Sequence, residues 1–303
     1  MKIMLALDGS EYSEMSVKML KALRLPSTTE VTIMTVVPEI TFLGGITLDS
    51  LIAKGSNRDK ARKEQDNKAS TMLKEPVETL RGNGLKVETL VCRGRPEEQI
   101  MKKASETKAD LVVIGAKGTN NSPRFPLGSI AHKVMKYAPC SVMLVKEGPR
   151  YLRRVFFATD GSKYSDRVTR FLLELPLPKQ SQVTIVSALE SHLATLMKMP
   201  TLDLETNRQI LAELQETEEK AARELMNKTR KSFEEKGYKS SLWVLRGGPA
   251  ESIISAANEL NPELIALGAK GLTGIEALML GSVAQRVARF SRHSVLIVRP
   301  PKR

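Results

Sequence analysis

The chain has 303 residues, enough for two domains that each bury a core of their own. With 41% apolar and 27% charged residues it has the make-up of a soluble globular protein, and no run of 18 apolar residues calls for a transmembrane helix, so a membrane role is not expected. The formal charge of +13 raises nucleic acid as a partner, but basic and acidic residues alternate, as in Asn57-Arg58-Asp59-Lys60-Ala61-Arg62-Lys63-Glu64, which suits a solvated helix face and points away from nucleic acid.

The chain opens on Met1–Leu7, a short apolar run ending at Asp8, which reads as a strand over 2–8 and not as a signal peptide. A helix follows, with Met15, Met19, Leu20 and Leu23 at helical spacing. A second strand is expected near 30–37. The apolar stretch Ile40–Ile52, with Gly44-Gly45, reads as a loop, and 56–81 as a polar helix. A third strand is expected over 85–92, a helix over 96–108, and a fourth strand at Leu111–Ile114. After a glycine-bearing loop, a helix starts near 129 and stops before Pro139, and Ser141–Val145 is the fifth strand. The second half repeats the series. Its long helix, about 203–236, is expected to bury Leu211, Leu214, Ala222, Leu225 and Phe233 on one face, with Gly237 as its C-terminal cap.

The repetition extends to individual residues. Leu5-Ala6-Leu7-Asp8-Gly9-Ser10 returns 152 residues later as Phe157-Ala158-Thr159-Asp160-Gly161-Ser162. Arg93-Gly94-Arg95-Pro96 returns after 153 residues as Arg246-Gly247-Gly248-Pro249. A duplication is implied, with domains 1–148 and 149–303 joined near Gly148-Pro149-Arg150. Apolar strands alternating with helices make each domain α/β, with a doubly wound five-stranded parallel sheet.

The spacing Gly115-x2-Gly118-x9-Gly128-Ser129 recurs as Gly268-x2-Gly271-x9-Gly281-Ser282. Gly115 and Gly268 end a strand where bare backbone lets a ligand approach, and Gly118 and Gly271 are expected to turn the chain with positive φ. Gly128-Ser129 and Gly281-Ser282 open helices, whose free N–H groups attract phosphate; the serine hydroxyl either caps the helix or bonds a phosphate oxygen. Lys117 and Lys270 lie inside the loops, within reach of phosphate or simply exposed. His132, His192 and His293 are scattered, and Cys92 and Cys140 lack zinc spacing, so no metal site is expected on them and a reducing cytoplasm is.

The doubled glycine motif, the strand-end Asp-Gly-Ser and the Gly-x-Pro after the third strand resemble the ATP-binding universal stress proteins, across essentially the whole chain. That resemblance implies a Rossmann-like fold similar to the adenine nucleotide alpha hydrolases, with sheet order 3-2-1-4-5. It implies that Asp8 and Asp160 contact the nucleoside end of ATP, that Val36 and Ala188 sit beside adenine, and that the glycine loops hold ribose and phosphates. Mg²⁺ is allowed for, because it binds through phosphates and one or two carboxylates. The loop Leu272–Leu280 is close to the family pattern, whereas Thr119–Leu127 departs from it with Pro123 and Pro126. No Gly-x4-Gly-Lys-Ser/Thr occurs and no nucleophile–base arrangement stands out, so at most a weak ATPase is expected. The implied role is a cytoplasmic stress-response or signalling module, a homodimer of tandem chains acting on an unknown protein partner. The alternative is a nucleotide-independent scaffold acting by protein contacts.

Overall fold

The computed structural model describes residues 1–39, 56–119, 126–190, 204–271 and 280–300. The stretch read as a loop over 40–52, most of the first glycine loop and the middle of the second lie outside the described residues. The chain forms two compact units, Met1–Tyr151 with Arg299–Arg303, and Leu152–Val298.

In the first unit the elements run β1 (Lys2–Ala6), α1 (Glu11–Ala22), β2 (Glu30–Pro38), α2 (Ser56–Arg81), β3 (Lys86–Gly94), α3 (Pro96–Glu106), β4 (Leu111–Gly115), α4 (Ser129–Tyr137) and β5 (Ser141–Val145). The strands pair in parallel in the order β3-β2-β1-β4-β5, and Leu5 of β1 lies between Ile33 of β2 and Val113 of β4. The second unit repeats this with β6 (Arg154–Ala158), α5 (Lys163–Glu174), β7 (Gln182–Leu189), α6 (Leu204–Glu235), β8 (Lys239–Arg246), α7 (Pro249–Leu260), β9 (Leu264–Gly268), α8 (Ser282–Phe290) and β10 (Ser294–Val298). Its order is β8-β7-β6-β9-β10, again parallel throughout. Each unit is thus an α/β repeat with a five-stranded parallel sheet.

Parallel strands with helices on both faces must be apolar on both faces, and these are. Ile3, Met4 and Leu5 of β1 and Val155, Phe156 and Phe157 of β6 are buried. Burying each such side chain favours the fold by about 1.5–3 kcal/mol. Expected strand 1 stops two residues early. Leu7 still donates its N–H to the Met34 carbonyl at 2.8 Å, but the Asp8 N–H turns to Ser13 Oγ at 2.9 Å, which ends the ladder.

The turn from β1 to α1 explains its own sequence. Gly9 sits at φ +78° and its counterpart Gly161 at +72°, where side chains are strained. A Cβ there would also lie 2.8 Å from Met72 Sδ of α2, or from Leu225 Cδ1 of α6 in the second unit. Ser10 and Ser162 then cap α1 and α5, accepting from Ser13 N and from Tyr164 and Ser165 N.

The expected apolar face of α6 needs correction. Ala222, Met226 and Phe233 are buried, but Leu214 and Leu225 are exposed and Leu211 is half-buried. At ~1.5 Å per residue the 32-residue helix is about 48 Å long, far longer than an eight-residue strand of about 26 Å, so the sheet covers only its C-terminal half and leaves Leu211 and Leu214 beyond it. Leu225 lies within the covered half but to one side of the face that Ala222, Met226 and Phe233 share. Its end is as expected. Gly237, at φ +84°, donates to the Glu234 carbonyl at 2.8 Å and Tyr238 N to the Phe233 carbonyl at 3.0 Å, closing the helix in a left-handed cap.

Candidate functional site

In both units the strand order reverses beside the first strand, so the connections leave β1 and β4, or β6 and β9, in opposite directions. That opens a crevice at the carboxyl ends of the strands. In the first unit it is a cavity of about 280 Å³. Asp8, Val36, Gly115, Gly118, Gly128 and Ser129, the six residues singled out in the first repeat, all line it. Lys117 lines it too, and Met34, Pro38, Pro96, Ile100 and Ile114 give it apolar walls.

Asp8 is held on both oxygens. Its Oδ1 accepts from Ser10 N at 3.0 Å and from Ser13 Oγ at 2.7 Å, and its Oδ2 accepts from Thr119 N at 3.1 Å. One carboxylate therefore ties the β1 turn, the first turn of α1 and the glycine loop together. The second unit repeats the inner part, with Asp160 Oδ1 accepting from Ser162 N at 3.0 Å and Ser165 Oγ at 2.6 Å.

The reason given for Gly118 and Gly271 changes. Gly118 and Gly271 do not adopt positive φ. They are small because the aspartate lies on them: a Cβ at Gly118 would collide with Asp8 Oδ2, and one at Gly271 would lie 2.6 Å from Asp160 Oδ2. At Gly115 the close approach is by a helix, since a Cβ would stand 2.6 Å from Tyr12 Cβ of α1; at Gly268 it would stand 2.9 Å from the Lys270 carbonyl and 3.5 Å from Tyr164 Cβ.

Gly128 closes the loop by donating its N–H to the Ala116 carbonyl at 2.8 Å, and Gly281 does the same to Ala269 at 2.7 Å. Each glycine is the N-cap of the following helix and supplies no side-chain cap. Ser129 and Ser282 are consequently first helical residues and not caps. The cavity is lined by Ser129, Ile130 and Ala131, the residues whose amides have no partner inside an α-helix. This part of the cavity thus combines helix N-terminal amides, the positive end of a helix dipole and Lys117. The same cavity has apolar lining residues, among them Val36, Pro38 and Ile100.

Ala188 occupies in β7 the place that Val36 has in β2, half-buried near the strand end and smaller by two methyl groups. Gly268, Gly271, Gly281 and Ser282 occupy the places of their first-repeat counterparts in β9, the loop and α8.

Lys146 follows β5 directly. The Val145 carbonyl before it accepts from Ala116 N at 2.8 Å, at the start of the glycine loop. Burial pushes the Lys146 ammonium down to about 8, and the nearby Lys117 charge adds to the shift. The sequence reading missed Ser13 and Ser165, which orient the two aspartates. Their signal was present, because they recur at the same offset of 152 as Asp8 and Asp160. It also missed Ile100, and it marked Pro96 as part of the Gly-x-Pro motif without assigning it to the site; the placement of α3 beside β2 brings both to the cavity.

A family model described as the universal stress protein family matches the chain twice, over residues 1–146 and 152–299. A universal stress protein of Methanocaldococcus jannaschii is 28% identical over 160 residues, covering 53% of this chain and 89% of that protein. One of Bacillus subtilis is 26% identical over 146 residues, covering 48% of this chain and 98% of its own. The crystal structure of a universal stress protein from Archaeoglobus fulgidus matches with a TM-score of 0.62 over 99% of this chain and 97% of that one, at 19% identity, a likeness of fold. Among the described residues no helix is long and apolar enough to cross a membrane, and no group of three or more His, Cys, Asp or Glu side chains could hold a metal ion.

Proposed function

The chain belongs to the universal stress protein family, and from that membership and the pocket geometry we propose that it binds ATP in the crevices of its repeats and serves as a cytoplasmic stress-response or signalling module with slow or no hydrolysis. The observation that carries this reading is that one cavity is lined both by apolar side chains and by the N-terminus of a helix with Lys117 beside it. A ligand matching both has a flat, weakly polar ring and a polyanion, which describes an adenine nucleotide.

In this reading Val36 and Pro38 flank adenine, and Asp8 accepts from the nucleoside with the lone pairs left over from its bonds to Ser10, Ser13 and Thr119. The amides of Ser129, Ile130 and Ala131, the Ser129 hydroxyl and Lys117 hold the phosphates, with or without Mg²⁺. Asp160, Ala188, Gly268, Gly271, Gly281 and Ser282 take the same roles in the second repeat. Amides and a lysine are ground-state anion binders, whereas rapid hydrolysis needs a positioned water as well. A homodimer of tandem chains and a separate protein partner belong to the same reading, and ATP influences either only by binding two states unequally.

Thermal melting tests it. ATP at a hundred times its Kd stabilises the binding unit by ~2.7 kcal/mol. For units of this size that is a rise in Tm of roughly 5–10 °C. No rise at millimolar ATP would favour the scaffold, with the loops kept as architecture.

A further inference from the structure

Two helices contribute to the cavity, one adding to its apolar lining and the other supplying the amides proposed for phosphate. Pro96 and Ile100 come from α3; Ser129, Ile130 and Ala131 come from α4. Among the described residues an ion pair joins these helices, its acid next in sequence to the cavity-lining Pro96. Lys133 Nζ, one turn into α4, lies 2.6 Å from Glu97 Oε1, at the start of α3. The Glu97 side chain is only 14% exposed, so the bond is sheltered from water on the acid's side. The Lys133 ammonium holds the Glu97 carboxyl below its ordinary range.

The second unit links the same two helices. There Arg286 of α8 pairs with Glu251 of α7. Arg286 corresponds to Lys133, but Glu251 corresponds to Glu98 and not to Glu97; in the first unit Glu98 is paired with Arg95 at 3.2 Å. The residue carrying the acid has moved and the bridge has stayed. A bridge kept while its parts change is what a requirement on helix spacing produces.

We propose that Glu97 and Lys133 are positioning residues for the nucleotide site, fixing the span between the α3 wall that receives the base and the α4 amides that receive the phosphates. The inference rests on the ATP-binding reading above. It makes a distinction that general stabilisation does not. A ligand that touches both helices depends on the span, and one that touches only the α3 side does not. Breaking the bridge therefore weakens ATP and spares adenosine.

The test is an ATP titration and an adenosine titration of the full chain, followed by amide hydrogen exchange in peptides covering 96–106 and 129–137, which report the first unit alone. Glu97→Gln and Lys133→Met are each expected to weaken ATP about five-fold, the scale of one partly exposed ion pair, and to leave adenosine within about two-fold. Lys133→Arg, which copies the cation of the second unit, keeps the parent affinities. If Glu97→Gln does not fold, Lys133→Met decides, since its side chain is 53% exposed. Equal loss of ATP and adenosine, or no loss of either, overturns the positioning role. Absence of ATP protection in the parent overturns the nucleotide reading itself.

Discussion

Gly271→Ala separates two explanations of the loop glycine that differ in sign. Gly271 does not adopt positive φ, so alanine fits its backbone. In that case the substitution lowers the entropy of the unfolded chain and stabilises by ~0.4–1 kcal/mol. The structure adds an obstacle, because the new Cβ would stand 2.6 Å from Asp160 Oδ2. The carboxylate cannot rotate away freely, since Oδ1 is bonded to Ser165 Oγ at 2.6 Å and Ser162 N at 3.0 Å. Overpacking of this kind costs ~1–3 kcal/mol. Subtracting the entropy gain leaves a loss of about 0–2.6 kcal/mol, centred near 1.3. Trp243, the chain's single tryptophan, lies in β8, so urea unfolding followed by its fluorescence reports the second unit. Asp160→Ala removes the obstacle, and the double variant Asp160→Ala with Gly271→Ala should be no less stable than Asp160→Ala alone. A stabilising Gly271→Ala, or strict additivity in the cycle, would refute the collision.

Two further predictions follow from packing and burial. Phe233 is fully buried, edge-on to Phe157 at 6.4 Å and to Tyr238 at 6.3 Å between ring centroids, so Phe233→Ala should cost ~3–5 kcal/mol and shift the Trp243 transition to lower urea. Lys146 has its ammonium pushed from 10.5 to about 8 by burial, so the unfolded chain binds this proton more tightly than the folded one. The resulting penalty is complete below pH 8 and vanishes as pH rises toward 10.5, so stability should climb over that window by roughly 3 kcal/mol. In Lys146→Met the climb should be absent, and an unchanged profile in pH-dependent urea unfolding would refute the assignment.

The strands were legible because a parallel strand covered on both faces must be an unbroken apolar run, as Leu111–Ile114 and Ser141–Val145 are. The crevice was legible through the repeat, which put Asp8 and the glycine loop at the ends of strands that the fold places side by side. The purposes of the glycines were not. Whether Gly118 turns the chain or makes room depends on Asp8, 110 residues earlier, and that Gly115 must make room for α1 as well as line the cavity depends on Tyr12. Spacing marks such positions without naming the neighbour. Helical periodicity likewise picked out Leu214 and Leu225, but how far the sheet extends beneath α6 leaves Leu214 uncovered, and the exact face that packs, set by Ala222, Met226 and Phe233, leaves Leu225 to one side. The bridge between α3 and α4 was invisible because one charged residue among many on a polar helix face carries no pattern until the helices are packed.

Calorimetric titration of nucleotide-stripped protein with ATP, with and without Mg²⁺, tests the central claim most directly. Saturable heat at one or two sites per chain is the expected result, and two sites would show that the first loop, with Pro123 and Pro126, still binds. No heat at millimolar ATP, in either the presence or absence of Mg²⁺, would contradict the account.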